Sequence, residues 1–499
     1  MAGKLRVNNM KALSVIAIVA TIVTKILGLI REMMISGALG ATPESDAYNI
    51  SYMLVVTVFG LFSSAYGNSL VPTLAKLYSN EKNRLNGILS SILAISISVI
   101  ILIIITMCMK PKFFVMALAS GANEETVEIA ARLVKVSSWS LIALIVISSC
   151  EIILRIFDSN IAPSLATIAF PVPILALLFL QCRDVDELLL ALVAGYYLQA
   201  LILLFCILKK TTFRFAIKFD FKSDYIFDFF SMMPPLLFSS GLLQINTLVD
   251  NQVASGFGVG SVTALQQASK VNALAYTVFA TTLMQIIYAK LTKSYASGDR
   301  TEFKSLISQQ ITLILCFIIP CAIIIPMYSN EIIEMLFLRG NYTIETARVA
   351  GSILRGYGCG LIVFVLRDIL VYIYYSAQNS AFPSKVNCVA VLINVVLNIT
   401  LSNFMGIKGI AYATSLSACV SFIVLLCNLK NKIMPIELIR KTDIFYIVLA
   451  AFVCFFYLKI SKFFLNGLNV WFNLIPFAVS FLIFWGGFYF LKRLFKSKK

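Results

Sequence analysis

The sequence predicts an all-α, polytopic transmembrane protein of about fourteen spans, and three observations predict it. Of 499 residues, 60% are hydrophobic and only 13% are charged, whereas a water-facing domain has roughly a quarter of its residues charged. The mean hydropathy of +0.90 makes lipid the solvent for most of the chain. Uncharged stretches such as residues 88–108 are long enough to cross ~30 Å of hydrocarbon.

The spans follow in order from hydropathy and from the turn signals between them. The basic segment MAGKLRVNNMK leads into the first, near 10–38, which runs past a signal-peptide h-region and has no small-residue cleavage site. Ser36-Gly37 closes it, and the second lies near 47–75. Tyr78 precedes the third, near 86–109, and Gly121 the fourth, near 128–156. Ala162-Pro163-Ser164 marks the turn into the fifth, near 161–181, and the sixth lies near 187–208. The seventh to twelfth are expected near 226–252, 261–289, 304–327, 345–376, 381–404 and 408–429. Two more follow near 444–463 and 470–491. The glycine-rich run Gly256-Phe257-Gly258-Val259-Gly260 follows no strand and reads as a turn between two spans.

An even count puts both termini on one face. The loops on that face carry most of the loop cations, among them Lys76, Lys82, Arg84, Lys209, Lys210, Arg214, Lys218, Lys222, Lys492, Arg493, Lys496, Lys498 and Lys499. The opposite loops carry few, such as Lys110, Lys112, Arg183 and Lys408. The positive-inside rule then makes both termini cytoplasmic. The net charge of +17 is thus mostly a topology signal, and with no basic soluble domain a nucleic-acid partner is not expected.

Two halves of the chain echo one another at an offset of about 219 residues, with Ser36-Gly37 matching Ser255-Gly256 and Gly121 matching Gly340. Ala162-Pro163-Ser164 likewise matches Phe382-Pro383-Ser384, and Tyr78 matches Tyr295. A six-span unit enters the membrane in the same direction twice, which suits two lobes and alternating access. The expected organisation is an N-terminal six-helix lobe over 1–218, a C-terminal six-helix lobe over 219–432, and two added helices with a basic tail over 433–499.

Several chemistries drop out. The chain has no histidine, which removes imidazole bases and imidazole–metal sites. Its eleven cysteines lie mostly inside hydrophobic segments without CxxC spacing and read as small hydrophobes. No Walker A motif is present. We expect no enzyme, no cofactor and no resident metal.

A charge at the bilayer centre costs about 2.5–3.5 kcal/mol on insertion scales, so intramembrane charges are informative. Lys25 lies mid-span in the first helix, ahead of Gly28, Arg31 and Glu32. The eighth span holds Gln266, Gln267, Ser269, Lys270 and Asn272, and the tenth holds Arg355, Arg367 and Asp368. Lys25, Arg31 and Lys270 suit a cationic cavity for an anionic headgroup, Arg as a bidentate fork and Lys as a point charge. The competing reading is internal pairing, of Arg31 with Glu32 or Asp250 and of Arg367 with Asp368, the latter being favoured for Arg367. Asn246 and Asp250 of the seventh span, with Asn394, Asn398 and Thr400 of the eleventh, form a candidate cation site for Na⁺, or for a proton on Asp250. Interhelical amide bonding without an ion reads the same residues equally well.

The segment TKILGLIREMMISGALGATPESDAY (24–48) resembles the first-helix signature of the MurJ-type lipid II flippases of the MOP exporter superfamily. Further matches are Val71-Pro72, LVDNQVASGFGVGSVTALQQASKV (248–271), YASGD (295–299), LRGNYT (338–343) and YYSAQNSAFPSKV (374–386). The resemblance covers spans 1 to 12 in order, and fourteen spans is the family's number. It implies a flippase that moves an undecaprenyl-pyrophosphate-linked sugar, lipid II for peptidoglycan synthesis, from the inner to the outer leaflet of the bacterial cytoplasmic membrane. By the same resemblance Lys25, Arg31 and Lys270 map to essential cavity cations, and Asp46 to the acidic residue after the first helix. This copy is divergent, because Val58-Phe59-Gly60-Leu61 is uncharged where the family has a basic pair, and Ala273 stands for an acidic residue. The family's charged Y-S-R-Q-D loop also reads Tyr375-Ser376-Ala377-Gln378-Asn379 here. Another lipid-linked oligosaccharide, of capsule or O-antigen type, is therefore the alternative substrate. A MATE-like cation-coupled exporter and a non-transporting scaffold are further rivals. The expected partners are the lipid-linked anionic glycan and membrane lipids, with the protein acting as a monomer.

Overall fold

The computed structural model describes residues 2–157, 161–211, 213–215, 223–277, 282–298, 300–429, 441–465 and 470–496, and among them every regular element is a helix. The expected lobe boundaries at 218/219 and 432/433, and Lys218, Lys222, Lys498 and Lys499, lie outside the described residues. The chain forms two compact units, one of residues 1–263 with 339–342 and one of 264–338 with 343–499. The seventh helix thus packs in the first unit, although the repeat assigns it to the second half.

In the first unit, α1 (Ala2–Leu39) leads to α2 (Pro43–Asn80). Thr42 caps α2 by accepting the Ser45 N–H, and Pro43 opens the first turn, where its missing N–H costs nothing. Next come α3 (Leu85–Met109), α4 (Pro111–Leu118), α5 (Glu124–Ser137) and α6 (Ser140–Ile156). Asn123 caps α5, with Glu124 and Glu125 in its first turn, where carboxylates meet the positive end of the helix dipole. Between α5 and α6 the axis bends by 44°. At the break Ser138 donates to the Lys135 carbonyl and Ser140 to that of Ser137. After α7 (Ile161–Ala166) and α8 (Val172–Phe179), α9 (Val185–Lys210) is capped by Asp184 and ends in Lys209 and Lys210. Then α10 (Asp224–Ser255) packs along α2. The core of this unit is aliphatic, pinned by polar cross-links such as Tyr66 Oη to Ser149 Oγ at 2.6 Å and Ser51 Oγ to the Ala130 carbonyl at 3.2 Å.

Helix α11 (Ser261–Tyr276) begins in the first unit and continues into the second, which goes on with α12 (Thr282–Ala296), α13 (Arg300–Met327) and α14 (Ser329–Phe337). It is completed by α15 (Ile344–Ser376), α16 (Ala381–Met405), α17 (Lys408–Asn428), α18 (Lys441–Phe464) and α19 (Leu474–Lys496). Its central seam joins α15 to α17 through small residues. A Cβ on Gly356 would lie 2.8 Å from Ala411 Cβ, and one on Gly360 would lie 2.3 Å from Ser415 Oγ. Ser415 Oγ uses the closeness to donate to the Gly356 carbonyl at 2.8 Å. In lipid, where burial of apolar surface gives no drive between helices, such close backbone approach is what holds a pair together.

Among the described residues ten helical stretches are long and apolar enough to cross a membrane, or eleven if the bent α5–α6 pair is one span. The expectation of about fourteen is therefore approximately met. The three expected spans outside this set correspond to α1, α10 and α11–α12. These carry Lys25, Arg31 and Glu32, then Asn246 and Asp250, then Gln266, Gln267 and Lys270. Asp46 and the Asn394, Asn398 and Thr400 set instead lie on α2 and α16, which are within the set.

Replacing Gly360 by Val is expected to force α15 and α17 apart, at a cost of about 1–3 kcal/mol typical of overpacking. A melting temperature in detergent equal to that of the unmodified protein would show that the seam tolerates a side chain.

Candidate functional site

Arg31 is the buried cation of the first unit, 6% exposed, with Glu32 at 8%. Its Nη2 donates to Glu32 Oε1 at 2.5 Å. The guanidinium carbon sits 5.7 Å from the ring centre of Tyr52 and 5.1 Å from that of Phe170, within range of a cation–π attraction. Tyr196 stacks against Phe170 at 4.3 Å, so α9 backs the aromatic wall. Nε and Nη1 of Arg31 are buried without a hydrogen-bond partner, as is the Tyr48 hydroxyl. Unmet donors on a buried charge are costly. An anion with several acceptor oxygens is the chemical class that satisfies such a fork. Lys25 lies six residues earlier on α1 and is exposed, so it stands outside the buried surroundings of Arg31.

Asp46 does different work. Its Oδ2 accepts the Gly260 N–H at 2.7 Å, while Oδ1 accepts the Thr263 N–H at 2.9 Å and the Thr263 hydroxyl at 2.7 Å. These bonds satisfy the otherwise unmet N–H groups at the head of α11 and place negative charge at its positive end. Asn49 Nδ2 and Ser45 Oγ also reach Thr263 Oγ1, at 3.1 and 3.0 Å. On the same turn, Asn341 N–H donates to the Gly37 carbonyl at 2.9 Å and Asn341 Nδ2 to the Ala38 carbonyl at 2.9 Å. The backbones meet so closely that a Cβ on Gly340 would lie 2.1 Å from the Gly37 carbonyl oxygen. Residues 37–46 are therefore clasped by 260–263 and by 339–342.

Of the candidate cation site, Asn246 and Asp250 belong to the first unit, and Asn394, Asn398 and Thr400 to the second. Asn246 Oδ1 is buried without a hydrogen-bond partner. Asn398 Nδ2 donates to Asn394 Oδ1 at 3.0 Å, and Asn394 Nδ2 reaches Thr414 Oγ1 at 3.3 Å and Ser417 Oγ at 3.5 Å. Thr400 stands apart from this group. It is exposed, and its hydroxyl donates to the Val396 carbonyl of its own helix at 2.9 Å. Two residues beyond Asn398 is about 200° around the helix, so the amide pair takes its neighbours from α17 instead. Among the described residues no cluster of three or more His, Cys, Asp or Glu could hold a metal.

In the second unit Lys270 is half-buried on α11 beside buried Gln266 and Gln267. Arg367 pairs with Asp368 at 2.7 Å, and the Tyr276 hydroxyl donates to the same carboxylate. This pair is internally compensated, unlike the half-satisfied Arg31. Tyr52, Phe170, Thr263, Thr414 and Ser417 were not expected at these sites. The weak signal for the last two is their i, i+3 spacing inside a span, and nothing in the sequence marks Phe170.

Residues 35–478 match the sequence profile of the family described as "Lipid II flippase MurJ". Proteins named "Probable lipid II flippase MurJ" are similar along nearly the whole chain. That of Buchnera aphidicola is 23% identical over 461 residues, covering 90% of this chain and 89% of its own. That of Thermotoga maritima is 26% identical over 424 residues, covering 84% and 86%. In fold, the chain resembles a solved structure of lipid II flippase MurJ in an inward closed conformation, with a TM-score of 0.83 at 22% identity over 97% of this chain and 99% of that one. An inward-facing multidrug resistance MATE family transporter of the MOP superfamily shares the fold at a TM-score of 0.71 and 14% identity, over 82% of this chain and 95% of that one.

Asp46→Asn keeps the shape of the clasp but removes its charge. Hydrogen–deuterium exchange of residues 256–263 is expected to accelerate at least about tenfold, the equivalent of ~1.4 kcal/mol. Exchange unchanged from the parent would mean that the carboxylate does not hold this segment.

Proposed function

This chain belongs to the lipid II flippase MurJ family, and from that premise we propose that it flips lipid II across the bacterial cytoplasmic membrane for peptidoglycan synthesis. The observation that carries the reading is Arg31, a buried guanidinium with two unmet N–H groups between aromatic rings. The pyrophosphate of an undecaprenyl-pyrophosphate-linked sugar supplies the acceptor oxygens those donors lack. Lys25 and Lys270 add positive charge for the same headgroup during its passage. The polyprenyl tail stays in lipid, where it needs no polar partner.

Passage is by alternating access, and the protein is a transporter rather than an enzyme. The clasp of residues 37–46 with 260–263 and 339–342 is the closure at the outer face, and Asp46 must release Gly260 and Thr263 for it to open. Both termini are cytoplasmic, which places the basic loops against the negative surface potential of that leaflet. The return step uses either the membrane potential, worth about 2.3 kcal/mol per charge per 100 mV, or a Na⁺ or proton gradient. The buried oxygens around Asn394 and Asn398, and the carboxylate of Asp250 with Asn246, are the groups offered to such an ion. The functional unit is a monomer.

Three variants test the cationic path in a strain that depends on this gene. Lys25→Ala and Lys270→Ala alter groups that are not fully buried, and Arg31→Lys keeps the charge while losing the fork. Each is expected to be produced at parental levels yet fail to support growth, with lipid II accumulating on the inner leaflet. Parental growth by all three would end the reading.

A further inference from the structure

A cavity of about 1010 Å³ lies in the second unit, bounded by α14, the start of α15, the end of α18 and the approach to α19. It is at the upper end of the usual range of small-ligand sites, about 300–1,000 Å³. We propose that it binds the headgroup of a membrane aminophospholipid of the phosphatidylethanolamine type. The lipid phosphate meets Arg348 and Lys459, and its primary ammonium donates to Glu334 and Glu331.

Three observations lead there. The first is depth. Arg348 lies four residues inside α15, counted from Ile344, and Lys459 five residues inside α18, counted from Phe464. At about 1.5 Å per residue these cations sit roughly 6–8 Å below the helix ends. That is the level at which long basic side chains reach lipid phosphates.

The second is charge. Lys462 is already occupied: its Nζ pairs with Glu331 Oε1 at 2.6 Å, donates to the Met327 carbonyl and lies 4.9 Å from the Tyr328 ring centre. Arg348 and Lys459 both line the cavity, are exposed, and make no ion pair among the described residues. On the acidic side, Glu331 Oε2 is buried without a hydrogen-bond partner. Burial, and then the neighbouring Glu331 charge, hold the Glu334 carboxyl above its usual range although Arg348 and Lys462 oppose the shift. Two cations without an ion pair among the described residues, beside a carboxylate with a buried unbonded oxygen and a second raised one, match a zwitterion that can donate N–H bonds. A phosphatidylglycerol has no cation for the carboxylates, and the quaternary ammonium of a choline lipid has no N–H.

The third is the wall. Phe456, Ile460 and Phe463 line the cavity and are exposed. Phe452 and Phe456, four apart on α18, extend this apolar stripe along the helix, where it can receive an acyl chain.

The proposal rests on membrane embedding alone and not on the flipped substrate. Native mass spectrometry of the full-length protein in detergent, titrated separately with phosphatidylethanolamine, phosphatidylcholine, phosphatidylglycerol and undecaprenyl phosphate, tests it. Phosphatidylethanolamine is expected to bind at least tenfold tighter than the other three. Arg348→Ala with Lys459→Ala is expected to weaken it at least tenfold. Glu334→Gln, a milder change that keeps the proposal falsifiable should the double variant misfold, is expected to abolish the preference over phosphatidylcholine. Equal binding of phosphatidylcholine or phosphatidylglycerol, tighter binding of undecaprenyl phosphate, or an unchanged preference in Glu334→Gln would each overturn the assignment.

Discussion

Hydrocarbon offers no partner to an N–H group or a charge, so each polar group inside this protein must find one among the protein's own atoms or in what passes through it. Most find one internally. Serine and threonine hydroxyls return to carbonyls one turn back, Tyr66 meets Ser149, and Arg367 meets Asp368. Arg31 departs from the pattern, because Glu32 satisfies one end of its fork and leaves Nε and Nη1 unmet. Helix α1 and its charge are held mainly against α7, the short stretch that follows it and α8. The aromatic faces of Tyr52 and Phe170 lower the cost of the guanidinium without quenching its hydrogen-bonding capacity.

Much of this was legible in the sequence, because lipid imposes a coarse and demanding code. Length and apolarity mark ten or eleven spans directly. The remaining helices declare themselves by the opposite sign, since polar residues persist in a span only where the protein needs them. Arg31 was legible for that reason, and Asp46 through the resemblance of residues 24–48 to the family signature. What each touches was not. Phe170 reaches Arg31 from a short irregular stretch between α7 and α8, and nothing local in the sequence encodes that meeting. Thr400 failed as a neighbour of Asn394 and Asn398 for a geometric reason: proximity along the chain is not proximity around a helix. The expected repeat assigns α10 to its second half, whereas by contact α10 belongs to the first unit.

The expected lobes and the compact units differ over residues 219–263 and 339–342, and within that difference the segments 256–263 and 339–342 stand out. Both are short connectors that a hydropathy reading treats as punctuation. In the folded chain the first carries the N–H groups that Asp46 collects, and the second lies backbone to backbone against Gly37. Glycine is required at both ends: Gly260 has φ +81° and Gly340 has φ +57°, a region that residues with a Cβ rarely enter.

That meeting of Gly37 with Gly340 and Asn341 has a consequence for how the protein can be tuned. Its backbone bond from the Asn341 N–H to the Gly37 carbonyl, and the close approach of Gly340 to that carbonyl, involve main-chain atoms that do not titrate. It behaves as a mechanical stop whose position is fixed by shape. Asp46 brings formal charge to its bonds with Gly260 and Thr263, and the strength of those bonds depends on that charge and on its seclusion from water. Position and firmness are thus set by separate chemistry. Substitutions at a single carboxylate can change how readily the segment lets go while leaving the geometry of its resting place intact.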